Sequence, residues 1–229
     1  MPAKAKKMRA ALVTGFEPFG DHAMNPSAEV ARRLDGAVIM GTTLRGRILP
    51  VDIGRLDDAI ATILDEIDPV CVINLGLAAG EPVIRLERVA LNLAAFEIPD
   101  NAGRLVEDRA LDLRGDAALW SRLDVAAIRR ALLDRGIPAR LSSTAGTYLC
   151  NAAMYRFLRA LPARVPCGFI HVPFMRAQVA AMLDRPRRRS DDMDLGRLAS
   201  MEFPALRRAV EIAFETTLAK PVRKRSARA

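Results

Sequence analysis

Short apolar runs alternate along the chain with stretches of helical periodicity. Met8-Arg-Ala-Ala-Leu-Val-Thr14 is mostly apolar and predicts a buried strand ending at Gly15. A turn-rich segment follows, from Phe16 to Pro26. Pro26 then opens a helix with Glu29 at its positive end, and Asp35-Gly36 closes it. Arg47 to Asp52 reads as a second strand. Leu56, Ile60, Ile63, Leu64 and Ile67 recur at helical spacing, so a helix is expected from Arg55 to Ile67. Val70 to Leu75, bounded by Pro69 and Gly76, suits a strand buried on both faces. Glu87 to Leu93 alternates and predicts another strand. Ile98-Pro-Asp-Asn-Ala-Gly103 carries two turn signals. Beyond it the pattern predicts a helix from Asp124 to Arg135, a strand from Ala139 to Ser142 and a helix from Tyr148 to Leu161. A strand from Gly168 to Val172 follows, and then a last helix from Leu195 to Leu218, interrupted at Pro204.

Strands and helices in this order predict the α/β class: a single-domain α/β/α sandwich around a central, largely parallel twisted sheet. No repeat or linker breaks the pattern. Residues 1–229 are therefore expected to form one domain, with basic ends at about 1–8 and 220–229. A hydrophobic fraction of 51% over 229 residues is ample for its core.

Charge and cysteine usage narrow the function classes. No apolar run approaches a membrane span. The basic start, Met1 to Ala10, is not followed by a signal-type apolar core. The expectation is a soluble, cytoplasmic protein with no membrane partner. The net charge of +8 gathers at Lys4 to Arg9, at Arg185-Pro-Arg-Arg-Arg189 and at Lys220 to Arg228. Nucleic-acid binding is one reading of such charge. Solvated ends and a basic loop are the favoured one, because no stacking aromatics are interleaved and the chain has 2 Tyr and 1 Trp. Three cysteines (Cys71, Cys150 and Cys167) form neither a disulfide framework nor a zinc motif, so no zinc site is expected.

Three side chains are candidates for covalent chemistry. Cys150 falls just inside a predicted helix, after the turn Thr144-Ala-Gly-Thr147. A helix start offers unpaired N–H groups and positive potential, which would lower the thiol pKa and provide an oxyanion site. A small buried hydrophobe on a helix face would read the same way. His171 lies near the C-terminal end of an apolar strand, where open α/β sheets gather ligands. It is one of two histidines, and His22, in the turn-rich segment, is the weaker candidate. It would suit proton transfer or could be a satisfied core histidine. Glu87 begins a predicted strand among apolar neighbours, so its charge needs a partner: an imidazole, Arg88 or another cation. Spacing alone does not bring the three together.

Five ordered segments carry a family resemblance. They are Thr14-Gly-Phe-Glu-Pro-Phe-Gly20 with Asn25-Pro-Ser27, Leu86-Glu-Arg-Val-Ala-Leu-Asn92, Ile98 to Gly103, Thr144 to Asn151, and Gly168-Phe-Ile-His-Val-Pro173. Together, from about Val13 to Phe174, they resemble pyroglutamyl peptidase I, a family of cysteine peptidases. The resemblance implies removal of an N-terminal pyroglutamyl residue from peptides, by a triad falling on Glu87, Cys150 and His171. It implies a lactam pocket with Phe16 and Phe19 flanking the ring and backbone atoms at Leu77 meeting the lactam. Arg88 would support the oxyanion. It also admits homo-oligomers, although no interface stripe stands out. Many bacterial members read Gly-Gln-Ala-Gly-Gly-Arg where this chain has Gly76-Leu-Ala-Ala-Gly-Glu81. Leu77 thus replaces a Gln, and Glu81 reverses a charge near the expected cleft. The resemblance implies no metal and no organic cofactor. The departures keep one alternative in view, a cysteine amidase acting on another small acyl amide, and the basic ends keep a second, a non-catalytic binding protein on the same scaffold that engages nucleic acid.

Overall fold

The computed structural model describes residues 7–184 and 198–219. β1 (Met8–Phe16) runs directly into the segment that carries the pocket. Asn25 then caps α1 (Pro26–Leu34): its side-chain oxygen accepts from the Ser27 backbone N–H at 3.1 Å. β2 (Val38–Ile39) and β3 (Thr42–Leu49) form a hairpin through Met40 and Gly41, with φ of 49° and 72°. Strand pairing therefore begins before the Arg47 expected from the sequence. A methionine in the left-handed region is not a recognisable turn signal.

Asp52 caps α2 (Ile53–Glu66) by accepting from Gly54 N–H at 2.8 Å. β4 (Ile67–Leu77) follows without a loop. β5 (Ile84–Leu91) starts three residues earlier than its alternation suggested, which puts Glu87 in the middle of the strand. Next come β6 (Ala118–Trp120), α3 (Val125–Leu133), β7 (Ala139–Thr144), α4 (Leu149–Ala160) and β8 (Cys167–Val172). β9 (Phe174–Met175), α5 (Arg176–Leu183), β10 (Ser200–Met201) and α6 (Phe203–Leu218) complete the described elements.

The last helix differs from expectation. It starts at Phe203, and Pro204 belongs to its first turn, where a missing N–H costs nothing. Ser200 and Met201 pair with β9 instead of extending the helix. Residues 195–197, the Arg185 to Arg189 cluster and most of both basic ends lie outside the described residues.

Eight strands make one sheet in the order β2-β3-β1-β4-β8-β5-β6, with β7 also paired to β5. The β3-β1-β4-β8 ladder is parallel throughout. Beyond it, β5 runs antiparallel to β8 and parallel to β7. That reversal sets Arg85 opposite His171 and Glu87 opposite Phe169. Helices cover both faces. Leu56 and Ile60 of α2 pack with Met154 and Phe157 of α4 in one cluster. Val30 of α1, Ile128 of α3 and Val210 of α6 pack in the other. Each such side chain, once buried, contributes roughly 1.5–3 kcal/mol. Among the described residues no helix is long and apolar enough to cross a membrane.

Candidate active site

Alternation along the strands decides which groups share the site. On β8, Phe169 and His171 face the same side of the sheet as α4. Arg85 and Glu87 of β5 lie beside them in register. Glu87 has no solvent exposure, and His171 is 5% exposed. His171 Nδ1 lies 2.8 Å from Glu87 Oε1. An ionised carboxylate only accepts, so Nδ1 carries the proton and Nε2 is left as the acceptor nitrogen. Arg85 Nε donates to the same Oε1 at 3.1 Å. Glu87 Oε2 is buried and has no hydrogen-bond partner among the described residues.

Cys150 is the second residue of α4, after Tyr148 at the cap position. The turn before it uses Gly146 at φ 84°, a conformation that disfavours side chains. Thr147 anchors that turn: its hydroxyl donates to Ala95 O at 2.6 Å, and its carbonyl accepts from Ala95 N–H at 3.1 Å. Asn151 then ties the helix start to the end of β5. Its amide donates to the Leu91 and Leu93 carbonyls at 2.9 Å each, and its oxygen accepts from Leu91 N–H at 2.8 Å. The first turn of α4 has no side-chain cap. Its N–H groups therefore remain available to a developing oxyanion.

The expected lowering of the thiol pKa is not what the site provides. Burial pushes the Cys150 thiol up to about 12, and the nearby Glu87 charge adds to the rise. Arg85 and the backbone N–H of Cys150 act in the opposite direction. Desolvation outweighs the helix terminus.

Cys150 and His171 open into one cavity of about 160 Å³. Phe16, Phe19, Asn25, Val51, Leu77 and Tyr148 also line it. All three residues expected at a small-ring pocket, Phe16, Phe19 and Leu77, are thus on its wall. Phe16 is buried and ends β1, with its ring 6.5 Å from that of Phe169, so it belongs to the core as well. Phe19 is half-buried, and its ring centroid lies 6.4 Å from that of Tyr148. The wall is built from local hydrogen bonds. Asn25 donates to Glu17 O at 3.0 Å, and Ser27 Oγ accepts from Phe16 N–H at 3.0 Å. The Ile98 to Gly103 segment braces it: Asn101 donates to Pro18 O at 2.9 Å, and Tyr148 OH donates to Pro99 O at 3.1 Å.

Arg88 is placed differently. It is exposed, donating through Nε to Ser142 O at 3.3 Å and through Nη2 to Ser143 Oγ at 3.2 Å. It is absent from the cavity wall, and the cation beside Glu87 is Arg85. Alternation explains the difference, since Arg88 is one residue out of phase with Glu87. Sequence reading also passed over Tyr148, Asn25 and Val51. Only Tyr148 had a usable signal, its position two residues before Cys150. The charge reversal at Glu81 is answered locally. Glu81 accepts from Arg140 Nη2 at 2.5 Å and from Arg85 Nη1 at 3.4 Å, and the Arg140 pair holds its carboxyl below the usual range. His22, the other histidine, stacks edge-on with Phe174 at 5.3 Å, away from Glu87. Among the described residues no group of three His, Cys, Asp or Glu is placed to hold a metal ion.

Residues 9–219 match the model of a family described as Pyroglutamyl peptidase. The pyrrolidone-carboxylate peptidase of Pyrococcus furiosus is 37% identical over 210 residues, covering 90% of this chain and 99% of the relative. That of Chromobacterium violaceum is 43% identical over 171 residues, covering 75% and 80% respectively. Among solved structures, the pyrrolidone carboxyl peptidase from Thermococcus litoralis superposes with a TM-score of 0.83 at 37% identity. The match covers 93% of this chain and 94% of that one.

Proposed function

The chain belongs to the pyroglutamyl peptidase family of cysteine peptidases, and on that premise we propose that it hydrolyses the bond after an N-terminal pyroglutamyl residue of peptides, using Cys150, His171 and Glu87. The observation that carries the reading is the shared cavity, with a thiol and an imidazole on the same wall as two phenylalanines. Its volume is small beside the ~300–1,000 Å³ of pockets that take drug-sized ligands, so one compact ring suits it. Among the described residues, His171 is the only ionisable group besides Cys150 and Tyr148 on that wall. A neutral lactam fits such surroundings, whereas a free α-ammonium would be buried without a counter-charge.

In this mechanism His171 takes the thiol proton as the sulfur attacks the pyroglutamyl carbonyl, and Glu87 balances the imidazolium that forms. N–H groups at the start of α4 receive the oxyanion. The imidazolium then protonates the departing amine. His171 next deprotonates a water, which releases pyroglutamate from the thioester. The raised thiol pKa fits a proton transfer that accompanies attack. Arg88 has no part in this reading. The described residues around one sheet support a single peptidase domain. Purified protein should release a fluorophore from a pyroglutamyl amide, and Cys150→Ala should abolish that release. Turnover surviving the substitution would remove Cys150 from the role.

Leu77 and Glu81 motivated the amidase alternative. Leu77 ends β4, where the next residue extends the ladder to β8, Ala78 N–H donating to Val172 O at 2.9 Å, and Glu81 is neutralised by two arginines. Neither residue adds a charged group to the cavity wall, so pyroglutamyl remains the favoured acyl group.

A further inference from the structure

Glu87 is a fully buried carboxylate hydrogen-bonded to His171. A buried anion without a counter-charge is costly. His171 supplies a hydrogen bond to Oε1 but no charge in its neutral form, and Oε2 receives nothing. Arg85 is the remaining partner. Its Nε donates to the same Oε1, its Nη2 donates to Ser142 Oγ at 3.2 Å, and its Nη1 reaches Glu81 at 3.4 Å. Glu81 is in turn held by Arg140. The result is an ordered line of alternating charge: Arg140, Glu81, Arg85, Glu87, ending at His171.

We propose that Arg85 is a positioning residue: it gives Glu87 its resting counter-charge, keeps His171 available as a neutral base, and is held for that task by Glu81 and Ser142. The inference rests on the peptidase reading above. Arg85 touches no substrate atom and acts only through Glu87. Among the described residues, the charged and titratable groups around His171 are Glu87 and Arg85 from β5, Cys150 from α4, Tyr148 at the cap of α4 across the cavity, Glu81 from the β4–β5 connection and, beyond it, Arg140 from β7. Removing the cation leaves Glu87 to draw a proton onto His171. Removing Glu81 leaves two cations facing the pair and does the reverse.

The test compares Arg85→Gln, Arg85→Lys and Glu81→Gln in the full chain. For each, the kcat/KM profile against pH is measured, along with the ring signals of the two histidines by NMR, His171 being assigned with His22→Gln. Arg85→Gln should move the acidic limb, and the His171 ring transition, up by about one pH unit, with a loss of about ten-fold confined to the acidic side. Arg85→Lys should leave both near their original positions. Glu81→Gln should move both downward. An unmoved limb in every variant would overturn the proposal, as would a loss in Arg85→Gln that is uniform across pH. If Arg85→Gln fails to fold, the downward shift in Glu81→Gln still decides the sign. The NMR transition needs no turnover, so absent pyroglutamyl hydrolysis would count against the peptidase reading and not against this one.

Discussion

Gly76 lies directly beneath the sulfur of Cys150. A Cβ at position 76 would sit 2.7 Å from Sγ and 2.8 Å from Phe169 Cζ. Gly76 is also in register with His171 on the neighbouring strand, so the floor of the site is bare backbone on β4. Gly76→Ala should therefore displace the thiol by several tenths of an ångström. A misplacement of about 1 Å costs on the order of 10²-fold in rate, which is the upper end of the loss expected here. The expected outcome is a folded protein with a collapsed kcat, checked by circular dichroism beside steady-state kinetics. A variant with unchanged kcat would mean the sulfur's position is not constrained from below.

The Glu87–His171 contact predicts a different signature. A glutamine at 87 can place its NH2 group toward Nδ1, which would force the ring into the tautomer with the proton on Nε2. Nε2 is the nitrogen needed as base. Glu87→Gln should lower kcat by about 10³–10⁴-fold with a smaller change in KM, by analogy with triads in which the orienting acid is neutralised. A drop confined to KM would assign Glu87 to substrate binding instead.

Much of this site was legible because its chemistry sits in short segments with local logic. Cys150 follows a turn and begins a helix, and His171 ends an apolar run. Pro26, with Glu29 in the same turn, marks a helix start. The long-range partner of Glu87 was not legible. His171 reaches Glu87 only because β5 lies beside β8, and sequence pattern does not give the order or sense of strands. Arg85, two residues before Glu87 on the same strand, shares its face by alternation and was simply passed over. Arg88 adjoins Glu87 in sequence, yet the pleat turns it to the other face. The thiol's raised pKa was equally hidden. A helix start was visible, but the desolvation that outweighs it comes from distant parts of the chain. The role of Asn151, three hydrogen bonds to Leu91 and Leu93, likewise required the α4–β5 packing.

The two pocket phenylalanines should separate by experiment. Phe19 is half-buried, whereas Phe16 is 3% exposed and packs into the main core. Phe19→Ala should raise KM for a pyroglutamyl amide by about ten-fold, the loss of one buried ring contact, with little change in stability. Phe16→Ala should cost about 3–5 kcal/mol of stability, as large-to-small core changes do. Urea denaturation and Michaelis–Menten analysis of both variants read the two quantities. Equal destabilisation by both would make Phe19 a core residue and not a wall of the pocket.

Buried thiols give the fold an alkaline weakness. Cys167 has no solvent exposure, and burial pushes its thiol up from 9.0 to about 12, against opposing hydrogen bonds from Arg122 and Asn74. Burial drives Cys71 upward as well. A raised thiol pKa means the folded state holds its proton where the unfolded chain has lost it. The stabilisation is complete below pH 9 and is lost as pH rises from there toward 12. Each such thiol should remove about 1 kcal/mol per pH unit within that window. Unfolding free energy from urea melts should therefore fall as pH rises from 9 to 11. Cys167→Ala should make that fall shallower by about one proton's worth of slope. An identical slope in the variant would show that Cys167 does not stay protonated in the folded protein, and that burial around it is looser than the packing of β8 against α4 implies.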